Sequence, residues 1–192
     1  MIMRLWSLNP AYLDDASLRE LWDDCMRAKK QMERLTEYPN GSRPHPQLLR
    51  FFRTPGPLGA FSDYMWGVLD AIAQRGLYCG AQRKNAIPRP RSGSHMYMSV
   101  TAGQMEIETW LYGAKLVKER GNGEKYVQFW SIPEPQPHPL FQIVRGAVER
   151  WEMMPPYDYP KCKVCGFPIL EAGKGRPRER CRRCKPPREK TA

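Results

Sequence analysis

Four cysteines near the end of the chain, Cys162, Cys165, Cys181 and Cys184, fall into two C-x-x-C pairs separated by fifteen residues. Each pair sets two thiolates on one tight turn, and two such turns complete a tetrahedron around Zn²⁺. A shell closed by four cysteines has no open position, so the metal would be structural. The alternative is two disulfides, which a reducing compartment disfavours. The other chemistry lies in the opening block, Met3-Arg4-Leu5-Trp6-Ser7-Leu8-Asn9-Pro10. Here Leu5, Trp6 and Leu8 read as anchored side chains, which would hold a free α-amine, that of Met3 or Met1, beside an ordered surface. An α-amine has a reference pKa of about 7.7–8.0. A fraction is therefore neutral near pH 7 and able to act as a nucleophile, as amines do in Schiff-base catalysis.

Charge points to the partner. The 192 residues carry a net charge of +11. Residues 161–192 hold eleven Lys/Arg against three Glu, a net of +8, and the rest of the chain carries only +3. A tail this basic suits a polyanion, and nucleic acid is the usual one, although charge runs are also found as solvated tails. Arg43, Arg50, Arg83, Lys84, Arg89, Arg91, Arg182 and Arg183 are candidate phosphate contacts. Cys25 and Cys79 stand alone in apolar surroundings and read as buried thiols. No apolar run approaches 18 residues, which argues against a membrane span, and the start lacks the apolar stretch of a signal peptide. The expectation is a cytoplasmic, nucleoid-associated monomer of a bacterial or phage-infected cell.

These groups need a scaffold, and the pattern supplies a mostly helical one. Asp14 or Asp15 caps a helix to about Arg34, with Leu18, Trp22, Cys25, Met26 and Met32 on one face. A short helix covers Pro46 to Phe51. Another runs from about Leu58 to Arg75, with Phe61, Tyr64, Met65, Leu69 and Ile72 inward and Gly76 as its C-cap. Residues 80–95 form a basic, Pro-containing loop. Thr101 caps a helix to about Arg120. Residues 126–132 are a short helix or an extended segment, and 140–151 show no assignable pattern. Trp110, Trp130 and Trp151 read as core. Met154-Pro155-Pro156 with Tyr157 reads as a linker.

Five separated pieces resemble one family. They are the opening block with Tyr12-Leu13-Asp14 and Leu21-Trp22; His45-Pro46-Gln47-Leu48 with Phe51; Arg75-Gly76; Val100-Thr101-Ala102-Gly103-Gln104; and Pro137-His138-Pro139-Leu140-Phe141 with Trp151-Glu152. In this order they resemble the pyrimidine-dimer DNA glycosylases of the phage endonuclease V type, over roughly residues 3–152. The resemblance implies a small helical enzyme without an organic cofactor, acting on double-stranded DNA with a damaged base. Its N-terminal amine attacks the sugar carbon of the damaged nucleotide and the strand is then cut by β-elimination. Arg4 would clamp a phosphate beside the amine. His45 and His138 match motif positions and would contact phosphate or water, or else act as loop or capping histidines; His95 is similarly placed. The family's glutamate, set in a Trp-Arg-Glu stretch, corresponds to Asp24 in Trp22-Asp23-Asp24. That carboxylate is one methylene shorter, and Asp23 reverses the charge of an arginine. The family pattern also starts at the residue matching Met3, so Met1-Ile2 displaces the amine unless the chain begins at Met3.

The expected organisation is a glycosylase-like domain over residues 1–155, a zinc ribbon at 160–185 and a basic tail at 186–192. The expected function is a repair glycosylase and abasic-site lyase for pyrimidine lesions. A non-catalytic DNA-binding protein with the same fold, or a glycosylase for a modified base, are the alternatives.

Overall fold

A computed structural model describes residues 4–37, 44–78, 80, 87–88, 97–120, 128–129, 131–132, 134–152, 162–164 and 179–180, with 117–120 as backbone only. The chain divides into two compact units, Met1–Glu152 and Met153–Ala192. The first is mostly helical: α1 (Asp15–Glu37), α2 (Leu49–Phe52), α3 (Pro57–Gln74) and α4 (Ala102–Arg120). Two 3₁₀ turns, Pro10–Tyr12 and Pro46–Leu48, and two strands, β1 (Met98–Thr101) and β2 (Phe141–Val144), complete the described elements. Among the described residues, no helix is long and apolar enough to cross a membrane.

Local chemistry sets the helix ends. Asp14 Oδ1 accepts from Ser17 N at 2.9 Å, satisfying one of the unpaired N–H groups of the first turn of α1. The inward stripe of α1 is Leu18, Leu21, Trp22, Cys25, Ala28, Met32 and Leu35. Leu35 prolongs that stripe, and the helix continues one turn beyond Arg34. Cys25 is buried, as its surroundings suggest, whereas Met26 is only partly buried; Cys79 lies outside the described residues. At the end of α3, Gly76 takes φ +63°. Gly76 N donates to Ala73 O and Leu77 N to Ile72 O, both at 3.0 Å. This paired closure needs a left-handed residue, which glycine adopts without a Cβ penalty. Thr101 Oγ1 accepts from Gln104 N at 3.1 Å and so caps α4.

Neither strand is marked by hydrophobic periodicity in the sequence. β1 and β2 pair in parallel, with Met98 opposite Phe141 and Thr101 opposite Val144. Helix α4 lies on the connection between them, as a parallel pair requires. Within 126–132, Gln128 and Phe129 are helical. The core gathers Leu5, Leu8, Phe51, Phe61, Tyr64, Met65 and Tyr112 with the inward faces of α1 and α3. Trp110 and Trp151 are buried as expected. Trp130, His95 and the linker at 154–157 lie outside the described residues.

Candidate active site

The opening segment, residues 4–9, called the opening strand below although it makes one isolated bridge, is held by side chains from the rest of the first unit. Among the described residues, one bridge ties it to neighbouring backbone, Leu8 to Pro137, flanked by Asn9 N to Gln136 O at 3.0 Å and His138 N to Ser7 O at 2.7 Å. Its other backbone groups need partners, because a buried unpaired N–H or C=O is costly. Arg4 N donates to Asp24 Oδ2 at 2.9 Å, from α1. Leu5 N donates to Gln47 Oε1 at 2.7 Å, from the second 3₁₀ turn. Ser7 N donates to Glu108 Oε2, from α4. Tyr64 of α3 donates its hydroxyl to Trp6 O at 2.7 Å, and Arg50 Nη2 of α2 donates to Leu5 O at 2.9 Å.

A second layer locks these partners. The Arg4 guanidinium makes two parallel bonds to Glu152, at 2.7 and 3.1 Å, with the Arg4 and Glu152 side chains 18% and 2% exposed. Such forked pairing is the strong form of an ion pair. Gln104 Nε2 reaches both buried carboxylates, Glu108 at 2.9 Å and Glu152 at 3.0 Å, and its Oε1 accepts from Glu149 N. Ser7 Oγ donates to Glu108 Oε1 at 2.9 Å and accepts from Arg50 Nη1 at 2.7 Å. The Arg50 guanidinium also lies 4.7 Å from the Phe141 ring and 5.5 Å from that of Trp151. Burial holds its pKa below the usual arginine value.

Asp24 of α1 meets the opening segment at Arg4. It is 5% exposed, not on a solvated helix face, while Asp23 is exposed. One of its carboxylate oxygens takes the Arg4 N–H and the other takes the Arg27 guanidinium. The nitrogen of residue 3 is one residue away, at most about 3.6 Å along the chain. A carboxylate fixed in this way is able to accept and return a proton.

The two described histidines are structural. His138 Nδ1 accepts from Leu140 N at 3.0 Å, so Nε2 carries the proton and donates to Tyr64 O at 3.0 Å. Burial, with the Arg50 charge adding to it, pushes its pKa down to about 3 against the Tyr64 carbonyl bond. The imidazole is therefore neutral and enclosed. Gly67 on α3 makes room for it, since a Cβ there would fall 2.3 Å from His138 Nε2. His45 caps the second 3₁₀ turn, its Nδ1 3.4 Å from Gln47 N, and burial lowers its pKa.

Among the residues singled out from sequence, Arg4, Asp24, His45 and Arg50 meet around the opening strand. Two assignments change. Arg50, expected as a phosphate contact, is turned inward onto Ser7 and Leu5. His138 is a core residue rather than a phosphate or water ligand. Both Nη groups of Arg4 are engaged by Glu152, so any phosphate would meet only its remaining N–H edge. Met1, Met3, Arg43, Arg83, Lys84, Arg89, Arg91, Cys165, Cys181, Cys184, Arg182 and Arg183 lie outside the described residues; Cys162 is described. Sequence reasoning assigned no role to Gln47, Gln104, Glu108 and Glu152. Three of them sit inside pieces that carry the resemblance, and polar residues at those points were the available signal.

Beside Arg50 a cavity of about 270 Å³ opens, with Arg53, Tyr97, Glu149 and Trp151 on its walls. No curated protein and no solved structure matches the chain. The opening segment, Asp24, Gln47, Arg50 and α3 all fall within residues 3–85, which match the family model described as pyrimidine dimer DNA glycosylase.

Proposed function

We propose that the chain is a DNA glycosylase with abasic-site lyase activity, acting on pyrimidine dimers in double-stranded DNA. The family match supports glycosylase activity on DNA. The observation that carries the mechanism is the buried Asp24 carboxylate, 2.9 Å from the backbone nitrogen of Arg4. In this reading the α-amine of residue 3, in a chain beginning there, attacks C1′ of an extruded nucleotide. The C1′–N bond breaks as the C1′–N(amine) bond forms, and the base leaves with a proton. Asp24 then passes a proton from the amine to O4′ as the C1′–O4′ bond breaks, which opens the sugar and leaves a protonated imine at C1′; this acidifies C2′, and loss of a C2′ proton expels the 3′ phosphate by β-elimination. The short aspartate suffices because α1 holds it directly against the strand.

A damaged base must leave the stack before its sugar can be reached. The cavity beside Arg50 has aromatic walls, Tyr97 and Trp151, with Arg50 and Arg53 also lining it, and is just smaller than the usual range for ligand pockets. It suits one unstacked base. Arg43, Arg83, Lys84, Arg89, Arg91, Arg182 and Arg183 are assigned to phosphates, where they set affinity rather than sequence choice.

The test is incision of a duplex carrying one cyclobutane pyrimidine dimer, compared with the undamaged duplex and with Asp24→Asn. The reading requires nicking confined to the damaged duplex and at least about a hundredfold loss in Asp24→Asn, the lower range for acid–base catalysis. Dimer binding without nicking at any pH between about 6 and 9, around the reference amine pKa, would leave a non-catalytic binder instead.

A further inference from the structure

The cysteine motif belongs to the second unit, Met153–Ala192, and plays no part in the reading above. In the described part of that unit, Cys162 is 2% exposed, while Val164 two residues on is 62% exposed. The backbone N–H of Lys163 donates to the carbonyl of Glu179 at 2.9 Å, and Lys163 Nζ meets Glu179 Oε1 at 2.8 Å. The residue after Cys162 is thereby paired with the residue two before Cys181. Hydrogen-bonded backbone neighbours of this kind stand about 5 Å apart. Zn–S bonds of about 2.3 Å put the sulfurs of a tetrahedral site about 3.8 Å from one another. Pairing the two cysteine-bearing segments side by side is what such a site demands.

Composition gives the motive. Within the unit the large apolar residues, cysteine aside, are Met153, Met154, Tyr157, Tyr159, Val164, Phe167, Ile169 and Leu170. Eight such side chains, with Val164 exposed, make at most a small core, and pieces of about 40 residues or fewer usually need a staple.

We infer that Cys162, Cys165, Cys181 and Cys184 bind one structural Zn²⁺ and that this ion folds the second unit. Cys162 is placed by the structure, and the other three are assigned by spacing. As four S–Zn bonds form, four S–H protons pass to solvent, and the site carries −2. With every position filled by sulfur, the ion takes no substrate.

The experiment uses the full chain, purified without chelator, and needs no DNA. Metal analysis should find one zinc per chain, released when a mercurial titrates four of the six thiols. Replacing zinc by Co²⁺ should give the intense near-ultraviolet sulfur-to-cobalt band and the visible bands of a tetrahedral site. Cys162→Ser and Cys181→Ser should each lose that spectrum, and Cys25→Ser should keep it. Because a ligand variant unfolds the unit, the cobalt spectrum of the unaltered chain decides. A metal-free chain whose mass is lower by four hydrogens would show two disulfides and overturn the inference. So would four thiols alkylated as fast with zinc as without it. Failure here leaves the glycosylase reading standing, since the readout is the metal alone.

Discussion

Replacing Glu152 by glutamine should loosen the opening strand at the end where Asp24 holds it. Two charge-assisted bonds, at 2.7 and 3.1 Å, join Glu152 to Arg4. Such bonds contribute about 1.5–3 kcal/mol each. Removing one partner of a fully buried pair costs about 3–5 kcal/mol. Here the Arg4 side chain is 18% exposed and regains some hydration, and the glutamine oxygen still accepts one N–H. The expected loss is therefore at the low end, about 3 kcal/mol. That is a large share of the 5–15 kcal/mol of a typical domain and shifts Tm by roughly 6–12 °C. Urea unfolding of the two single variants, Glu152→Gln and Arg4→Gln, and the double variant gives a cycle with a coupling of about 2 kcal/mol. Gln104, which shares Glu152, should be probed separately because neighbours do not add. A coupling below about 0.5 kcal/mol, with both singles near neutral, would place the pair among ordinary surface ion pairs and refute the bracing argument.

Three further outcomes follow from the same geometry. Gly67→Ala puts a methyl group 2.3 Å from His138 Nε2 and breaks its bond to Tyr64 O, so thermal melting should show a loss of about 3 kcal/mol; an unchanged Tm would contradict the packing. His138 takes up a proton near pH 6.5 when unfolded but only near 3 when folded. Between those values the unfolded state holds the extra proton, so stability falls as pH falls, by about 2 kcal/mol from pH 7 to 5. His138→Gln should remove that part of the slope, and an identical slope would exclude the enclosed neutral imidazole. Neutralising Arg182 and Arg183 together should lower the slope of log affinity against log salt by about 1.8, read from duplex-binding titrations; no change would take them off the DNA.

Much of the helical frame could be read from the chain, because its signals are local. The stripe from Leu18 to Leu35 repeats at helical spacing, and Gly76 marks the end of α3 within four residues. β1 and β2 gave no such signal: each is four residues long, and Met98 meets Phe141 only through tertiary folding. The bracing network was hidden for a related reason. Arg4 and Glu152 lie 148 positions apart, and Gln104 and Glu108, four apart on α4, look like a solvated helix face until the strand is laid against them. Arg50 shows the converse. A basic residue in a basic chain suggests phosphate, yet the carbonyl of Leu5 and the hydroxyl of Ser7 needed a donor, and its guanidinium supplies both bonds.

Borohydride trapping on an abasic duplex reaches the proposed chemistry most directly, using two forms of the chain that begin at Met3 and at Met1. With the Met3 form, reduction should yield a covalent protein–DNA adduct whose tryptic map places the sugar remnant on the α-amine of residue 3, and Asp24→Asn should slow its formation. An adduct mapping to a lysine, or none from the Met3 form while the duplex is bound, would contradict it.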